Sequence, residues 1–262
     1  MKTFYDTIII SPHLDDAALS CGGQIYLMTA DGESVLIVTL MAGEPPESDL
    51  STFAQNLHDR WQLKSDAVAR RRQEDMAAAH ILGAETLHWE IPDCIYRRNL
   101  HTGEPYYISN QEIFGEYDLS EEVLINELAE HLITLPQFKQ IYAPLGVGNH
   151  VDHQIARLAA ERSFGEGLVY YEEYPYAIVP GAVDLIVSER LTEWQSQTIP
   201  IPEEVLAVKI EAIAAYISQL STFFLHQSDL ERQVHHYAQT VGGERIWRHD
   251  SSPGPSQKPA YR

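Results

Sequence analysis

Two short segments of the 262-residue chain concentrate side chains able to hold a metal and move a proton. The first is Ser11-Pro12-His13-Leu14-Asp15-Asp16, and the second is Gly146-Val147-Gly148-Asn149-His150-Val151-Asp152-His153. A catalytic zinc site takes three protein ligands from His, Asp, Glu and Cys and leaves the fourth position to water. His13, Asp16 and His153 would supply such a set, which frees Asp15 to act as general base on the metal-bound water. A metal in that position lowers the water's pKa to about 7 and polarises a scissile carbonyl. Amide hydrolysis also needs a proton for the departing amine, which His150 is placed to give, while Asp152 could orient an imidazole. The competing reading is structural. Asp15 or Asp16 would cap the helix that follows, and each histidine would be a satisfied polar residue in a turn. With 12 histidines in the chain, chance proximity carries weight. Against it stands the joint pattern, in which each cluster follows a predicted strand and opens a predicted helix.

Those elements can be read from hydrophobic period. Thr7-Ile8-Ile9-Ile10 reads as a buried strand. A helix follows from Asp16 to Met28, with Ala17, Ala18, Cys21, Ile25 and Met28 on one face. Its internal Gly22-Gly23 costs about 1 kcal/mol per glycine relative to alanine, which predicts close packing against a neighbour. Ser34 to Met41 reads as a second strand and Thr86 to Ile91 as a third. Between them the pattern predicts a helix from Ala67 to Leu82, capped by Asp66 and closed by Gly83. Glu121 to Leu135 reads as a helix capped by Ser120 and stopped by Pro136, Gln140 to Leu145 as a strand, and His150 to Ser163 as a helix. Leu168 to Tyr171 reads as a strand and Glu203 to Leu220 as one amphipathic helix. Two stretches break the rhythm: 43–65 as a long mobile loop and 92–118 with no clear period, both in the style of functional lids. Alternating strands and helices imply an α/β, Rossmann-like three-layer sandwich with a mostly parallel sheet. We expect a single domain over 1–249 with inserted loops at 43–65 and 92–118, and a disordered tail over 250–262. In such sheets ligands collect beyond the carboxyl ends of the strands, where both clusters fall.

Composition narrows the partners. A net charge of −20 repels phosphate backbones and anionic membranes, so nucleic acid is excluded as a partner. No apolar stretch approaches the ~20 residues needed to span a bilayer, and the N-terminus carries no apolar signal region; both point to a cytoplasmic protein without membrane insertion. Cys21 and Cys94 suggest free thiols rather than a disulfide framework, and Cys94 a small buried residue rather than a nucleophile. No Gly-x-Gly-x-x-Gly follows the first strand, which disfavours a dinucleotide. After Leu168 to Tyr171, an aromatic or acidic side chain of Glu172-Glu173-Tyr174-Pro175-Tyr176 could reach a ligand, or these acids could simply be exposed. His235-His236 reads as a surface pair.

Pro12-His13-Leu14-Asp15-Asp16 resembles the Pro-His-Pro-Asp-Asp motif of the LmbE-like, or PIG-L, deacetylases, and His150-Val151-Asp152-His153 resembles that family's His-Pro-Asp-His motif. Gly22-Gly23, Gly43-Glu44, Arg71-Arg72-Gln73-Glu74 with Leu82-Gly83, and Lys209 with Ser218-Gln219 extend the likeness over most of residues 5 to 225. The resemblance implies a Rossmann-like zinc hydrolase that removes acetyl from N-acetylglucosaminyl conjugates. By motif position it implies His13, Asp16 and His153 as zinc ligands and Asp15 as base. It makes His150 the acid or oxyanion-stabilising histidine and Asp152 its neighbouring carboxylate. It also implies that Arg71 binds substrate; without it, Arg70, Arg71 and Arg72 read as a solvated basic turn. Leu14 stands in place of the motif's second proline, Ala17 in place of a common glutamate, and Val151 in place of proline. None of these removes a ligand, and together they suggest a divergent subfamily. Zn²⁺ is the expected metal, although two histidines and a carboxylate also suit Fe²⁺. The expected partner is a small N-acetyl-sugar conjugate, with a homo-oligomer left open. The rival readings are a hydrolase of another N-acylated molecule and a carbohydrate or metal binder without turnover.

Overall fold

The computed structural model describes residues 1–45, 50–61, 67–188 and 194–249. Among these, the strands are β1 (Phe4–Ser11), β2 (Val35–Thr39), β3 (Glu85–His88), β4 (Gln137–Pro144), β5 (Leu168–Tyr171), β6 (Trp194–Ile199) and β7 (Glu244–His249). The helices are α1 (Asp16–Ala30), α2 (Thr52–Arg60), α3 (Ala67–Ile81), α4 (Asn110–Ile113), α5 (Glu122–Leu132), α6 (Val151–Phe164), α7 (Ala182–Ser188), α8 (Glu203–Ala214), α9 (Ile217–Phe223) and α10 (Gln227–Val241). One sheet orders the strands β3-β2-β1-β4-β5-β7-β6. The pairings from β3 through β5 are parallel, and β7 runs antiparallel to both of its neighbours.

The apolar run of β1 explains why the sheet is covered on both faces. Ile8 and Ile10 enter one core with Leu36, Val38 and Ile141, packed beneath α5 and α6. Ile9 points the other way and joins Ile37, Tyr142 and residues of α1, α3 and α8. Alternate side chains of one strand thus feed two cores. The paired glycines of α1 do what their helix-breaking cost predicts. A Cβ at Gly22 would lie 3.0 Å from the Lys209 side chain, and one at Gly23 would lie 2.9 Å from Ile201. The freed amides of Gly23 and Gln24 donate to the carboxylate of Glu244, each at 2.9 Å, and Lys209 pairs with the same carboxylate at 2.6 Å.

Several expectations change. Residues 43–65 include α2, so what reads as one long loop holds a helix. Residues 92–118 hold a 3-10 turn at Cys94–Tyr96 and the short α4. The helix α5 starts at Glu122 without a side-chain cap, and Ser120 instead gives its amide to Asp118 in the preceding turn. The stretch read as one helix over Glu203 to Leu220 turns by 106° between α8 and α9. No single helix among the described residues is long and apolar enough to cross a membrane. Asp66 and the tail from 250 onward lie outside the described residues.

β1 and β4 lie side by side in register, Ile9 opposite Tyr142. The order of the strands reverses between them, because β2 and β3 extend to one side of β1 and β5 to the other side of β4. Such a switch point opens a crevice beyond the carboxyl ends of the strands. The two histidine-aspartate segments leave β1 and β4 at that crevice.

Candidate active site

The turn from β1 into α1 sets out the first group of donors. Asp15 occupies the N-cap position of α1, but its side chain makes no capping hydrogen bond. Ser11 takes that work, its Oγ accepting the Ala17 amide at 3.2 Å. The structural reading of Asp15 as a cap therefore fails, and its carboxylate is left for chemistry. The turn from β4 into α6 needs positive φ at Gly146, Gly148 and Asn149. At Gly148 a Cβ would also collide with the Tyr176 ring, 2.6 Å away. His150 ends this turn and does cap its helix, Nδ1 accepting the Asp152 amide at 3.2 Å. With Nδ1 an acceptor, the neutral ring carries its proton on Nε2.

His13, His150 and His153 come together, with ring centroids 4.9 to 5.4 Å apart. Asp16 Oδ2 lies 3.2 Å from His13 Nδ1 and 3.3 Å from His153 Nε2. Tetrahedral ligands at ~2.0–2.1 Å from a zinc ion stand about 3.3 Å from one another, so the spacing suits one cation. The opposite edge of each imidazole is held by a buried carboxylate. His13 Nε2 meets Asp152 Oδ2 at 2.9 Å, and His153 Nδ1 meets Glu173 Oε1 at 3.2 Å. Each ring therefore turns its other nitrogen toward Asp16, and His153 Nε2 is a buried atom without a hydrogen-bond partner. That partnerless nitrogen, together with the carboxylate-backed imidazoles, is the donor set a divalent cation takes on displacing the imidazole protons.

Charge makes the same case. Burial works against ionisation of Asp16, yet the His153 and His13 imidazoles beside it hold its carboxyl well below the usual range. Burial likewise pulls down His13, but hydrogen bonds to Asp152 and Asp16 keep it well above its ordinary value, and His153 is pushed up to about 9. The buried carboxylates thus keep cations at the cradle, because buried charge is costly unless paired. Asp15 differs: burial first, and then the like charge of Asp16, raise it to about 6. A carboxyl with affinity for a proton near neutrality suits a general base. Burial and the neighbouring His13 press His150 well below its usual value, so it is a neutral hydrogen-bond donor.

Among the described residues the donor atoms of His13, His150 and His153 also lie within reach of one ion, and so do two groupings of another kind, Cys94 with His150 and Asp152, and His13 with Asp93 and Asp152. Both draw on Asp152, which already accepts from His13, the Cys94 amide and Arg97. Cys94 is fully buried with its thiol pushed well up by burial. It is a packed residue, as its sequence setting suggests.

The inserted segments and α3 line the rest of this region. Arg71 is buried, not a solvated basic turn. Its guanidinium stacks on Trp61 at 5.0 Å and faces Asp93 at 3.9 Å, and its Nε has no partner. Arg70 is exposed and Arg72 pairs with Glu90 at 2.7 Å. Asp93 also approaches His13 Nε2 at 3.8 Å, and Phe114 sets its ring edge-on to His150 at 5.3 Å. The departures from the family motif are apolar and packed: Leu14 and Ala17 are buried, and Val151 joins the inserted segments' own core.

Sequence reading missed Arg97, Asp93 and Trp61, and it named Glu173 only among side chains that could reach a ligand. Arg97 binds Asp152 and Glu121, each at 2.5 Å, and so holds the carboxylate that orients His13. Nothing in the aperiodic 92–118 segment marks it. Glu172 and Glu173 are neither exposed nor free to reach a ligand. Glu173 accepts the Gly146 and Val147 amides besides His153, and Glu172 is held by Arg245, Trp247 and Tyr237. The run of acids in the sequence was visible, but not its burial. His236 is exposed, as a surface pair would be, but His235 is half-buried and lies 3.6 Å from Glu203.

The chain is also similar to known proteins. The PIG-L family, described as GlcNAc-PI de-N-acetylase, matches residues 8–164. A 2'-N-acetylparomamine deacetylase of Niallia circulans is 29% identical over 64% of this chain and 66% of its own length. The chain thus spans about two thirds of that relative. A 1D-myo-inositol 2-acetamido-2-deoxy-alpha-D-glucopyranoside deacetylase of Corynebacterium glutamicum (strain R) is 26% identical over 81% of this chain and 74% of its own. Among solved structures, the zinc-inhibited form of a teicoplanin deacetylase superposes with a TM-score of 0.80 at 28% identity, covering 94% of this chain and all of the other.

Proposed function

The chain belongs to the PIG-L family of de-N-acetylases, and on that premise we propose that it is a metal-dependent amide hydrolase that removes acetyl from an N-acetylglucosamine-type sugar conjugate. His13, Asp16 and His153 would hold the metal, with Zn²⁺ the expected ion. When bound, a divalent cation supplies Lewis acidity to a water and to the amide carbonyl. Asp15 takes the proton from the attacking water. His150 donates its Nε2 hydrogen to the carbonyl oxygen as negative charge builds there, the role of an oxyanion-hole donor. Because His150 is neutral, Asp15 is the group that returns the proton to the departing amine, giving acetate and a free amino sugar. Asp152 and Glu173 keep the two imidazoles turned toward Asp16. Arg71 and Asp93, beside the base and His13, offer hydrogen bonds to sugar hydroxyls.

The observation that carries this reading is the placement of one Asp16 oxygen 3.2 and 3.3 Å from two imidazole nitrogens, with the uncapped Asp15 next in sequence. The sugar class is supported by the names of the relatives, which act on acetylated amino-sugar compounds. The test is acetate release from a panel of N-acetylglucosaminyl conjugates and N-acetyl amino acids, with protein loaded with Zn²⁺ or Fe²⁺. Release from the sugars and not the amino acids supports the reading. Release from neither, with either metal, overturns it.

A further inference from the structure

An apolar recess borders Asp15. It lies between α1 and the bend joining α8 to α9, and is walled by Leu19, Ile213, Leu220, Phe223 and Phe224, with Asp15 at its inner edge. Of the two remaining wall residues, Tyr216 donates its hydroxyl to Asp75 at 2.7 Å, and Gln219 donates through Nε2 to Ser218 Oγ at 3.2 Å. Neither Arg71 nor Asp93 lines it. The recess is small, on the order of one water.

An amide undergoing attack beside Asp15 must send its two carbon-chain substituents in different directions. The sugar carries hydroxyls that need hydrogen-bond partners, which the Arg71 and Asp93 side provides. The acyl group carries only alkyl hydrogens. We propose that this recess receives the methyl of the scissile acetyl group, and that Leu220 and Phe223 set the upper limit on acyl length. The proposal rests on the hydrolase reading above and adds the acyl specificity of the same site. An apolar pocket discriminates about 10- to 200-fold per methylene, and a recess filled by one methyl has no room for the next carbons. Leu220 and Phe223 are half-buried, whereas Phe224 is part of a core with Leu230 and Tyr237; the first two can be truncated with less effect on folding.

The test compares N-acetyl, N-propionyl and N-butyryl forms of one amino-sugar conjugate by kcat/KM, in the wild type, Phe223→Ala and Leu220→Ala. In parallel, saturation-transfer NMR reads the methyl signals of acetate and butyrate against the metal-loaded protein. The wild type should prefer acetyl over butyryl by tenfold or more and saturate acetate rather than butyrate. Each variant should narrow the acetyl-to-butyryl ratio about tenfold and bring up the butyrate methyl signal. A wild type that takes butyryl as well as acetyl, or variants that leave both ratio and saturation unchanged, would overturn the assignment. Failure to hydrolyse any of the three sugars would count against the hydrolase reading, and the carboxylate saturation pattern would then decide the recess by itself.

Discussion

The cradle at the strand ends and the cap built from the inserted segments meet at His13, His150 and Asp152, yet different forces hold them. The cradle is held by charge. His13 lies between Asp16 and Asp152, and His153 lies between Asp16 and Glu173, each contact within 3.3 Å. The cap is held by apolar burial. Ala54 and Leu57 of α2 and the adjoining Trp61 pack with Ile95, Tyr96, Tyr107 and Ile113, and Val151 of α6 joins them. Polar ties cross between the two, from Arg97 and the Cys94 amide to Asp152, and from Asn149 and Gln154 to the Gly115 carbonyl. A charge-held cradle cannot change without loss of chemistry, whereas an apolar cap can be repacked while keeping its volume. On the proposed reading, chemistry is vested in the cradle and recognition of the sugar in the cap.

If that division holds, damage to the cradle should strike turnover or metal, and damage to the cap should strike KM. The largest effect should come from Asp15→Asn, which keeps the shape and loses the base. Turnover should fall about 10²- to 10⁴-fold, with metal content by elemental analysis near that of the wild type. Next is Asp152→Asn, which weakens the support of His13 and leaves Arg97 with Glu121 as its one paired carboxylate among the described residues. Metal affinity, measured by competition with a chelator, should drop about 10- to 100-fold, and denaturant unfolding should show a loss of about 3 kcal/mol for the broken buried pair. Arg71→Ala removes a group facing the sugar side without touching a cradle donor. KM should rise about tenfold, equivalent to about 1.4 kcal/mol, with kcat little changed. The smallest effect should come from Phe114→Ala, at a ring 39% exposed, where KM should shift about two- to threefold and metal content should not move. A metal loss in Arg71→Ala or Phe114→Ala would break the division.

The cradle was more legible in sequence than the cap, for physical reasons. β1 and β5 are short apolar runs buried on both faces, so hydrophobicity alone marks them. The cradle residues adjoin those of β1 and β4, and strand-to-helix turns in a parallel sheet share one edge. The periodic stretch from Glu203 onward reads as one helix because its apolar spacing continues through the bend. The chain turns where α3 draws on it: Asp75 takes the Tyr216 hydroxyl, and Glu74 takes the amide and hydroxyl of Ser218. These tertiary bonds have no local signature. β6 and β7, WQSQTI and ERIWRH, mix polar and charged residues on an antiparallel edge and escape a search for apolar runs. α2 escapes for a similar reason, since it buries few apolar residues and those face only the cap. Arg97 and Glu173 act through burial and hydrogen bonding to residues distant in sequence, which spacing cannot reveal.

The central claim, that His13, Asp16 and His153 hold one catalytic metal with Asp15 left free, is tested most directly by anomalous diffraction from crystals of the metal-loaded protein. The account predicts a single strong peak within bonding distance of His13 Nδ1, an Asp16 carboxylate oxygen and His153 Nε2, with Asp15 and His150 outside the coordination sphere. A peak centred on His150 with Asp152 and Cys94, or no bound metal at a saturating concentration, would contradict it.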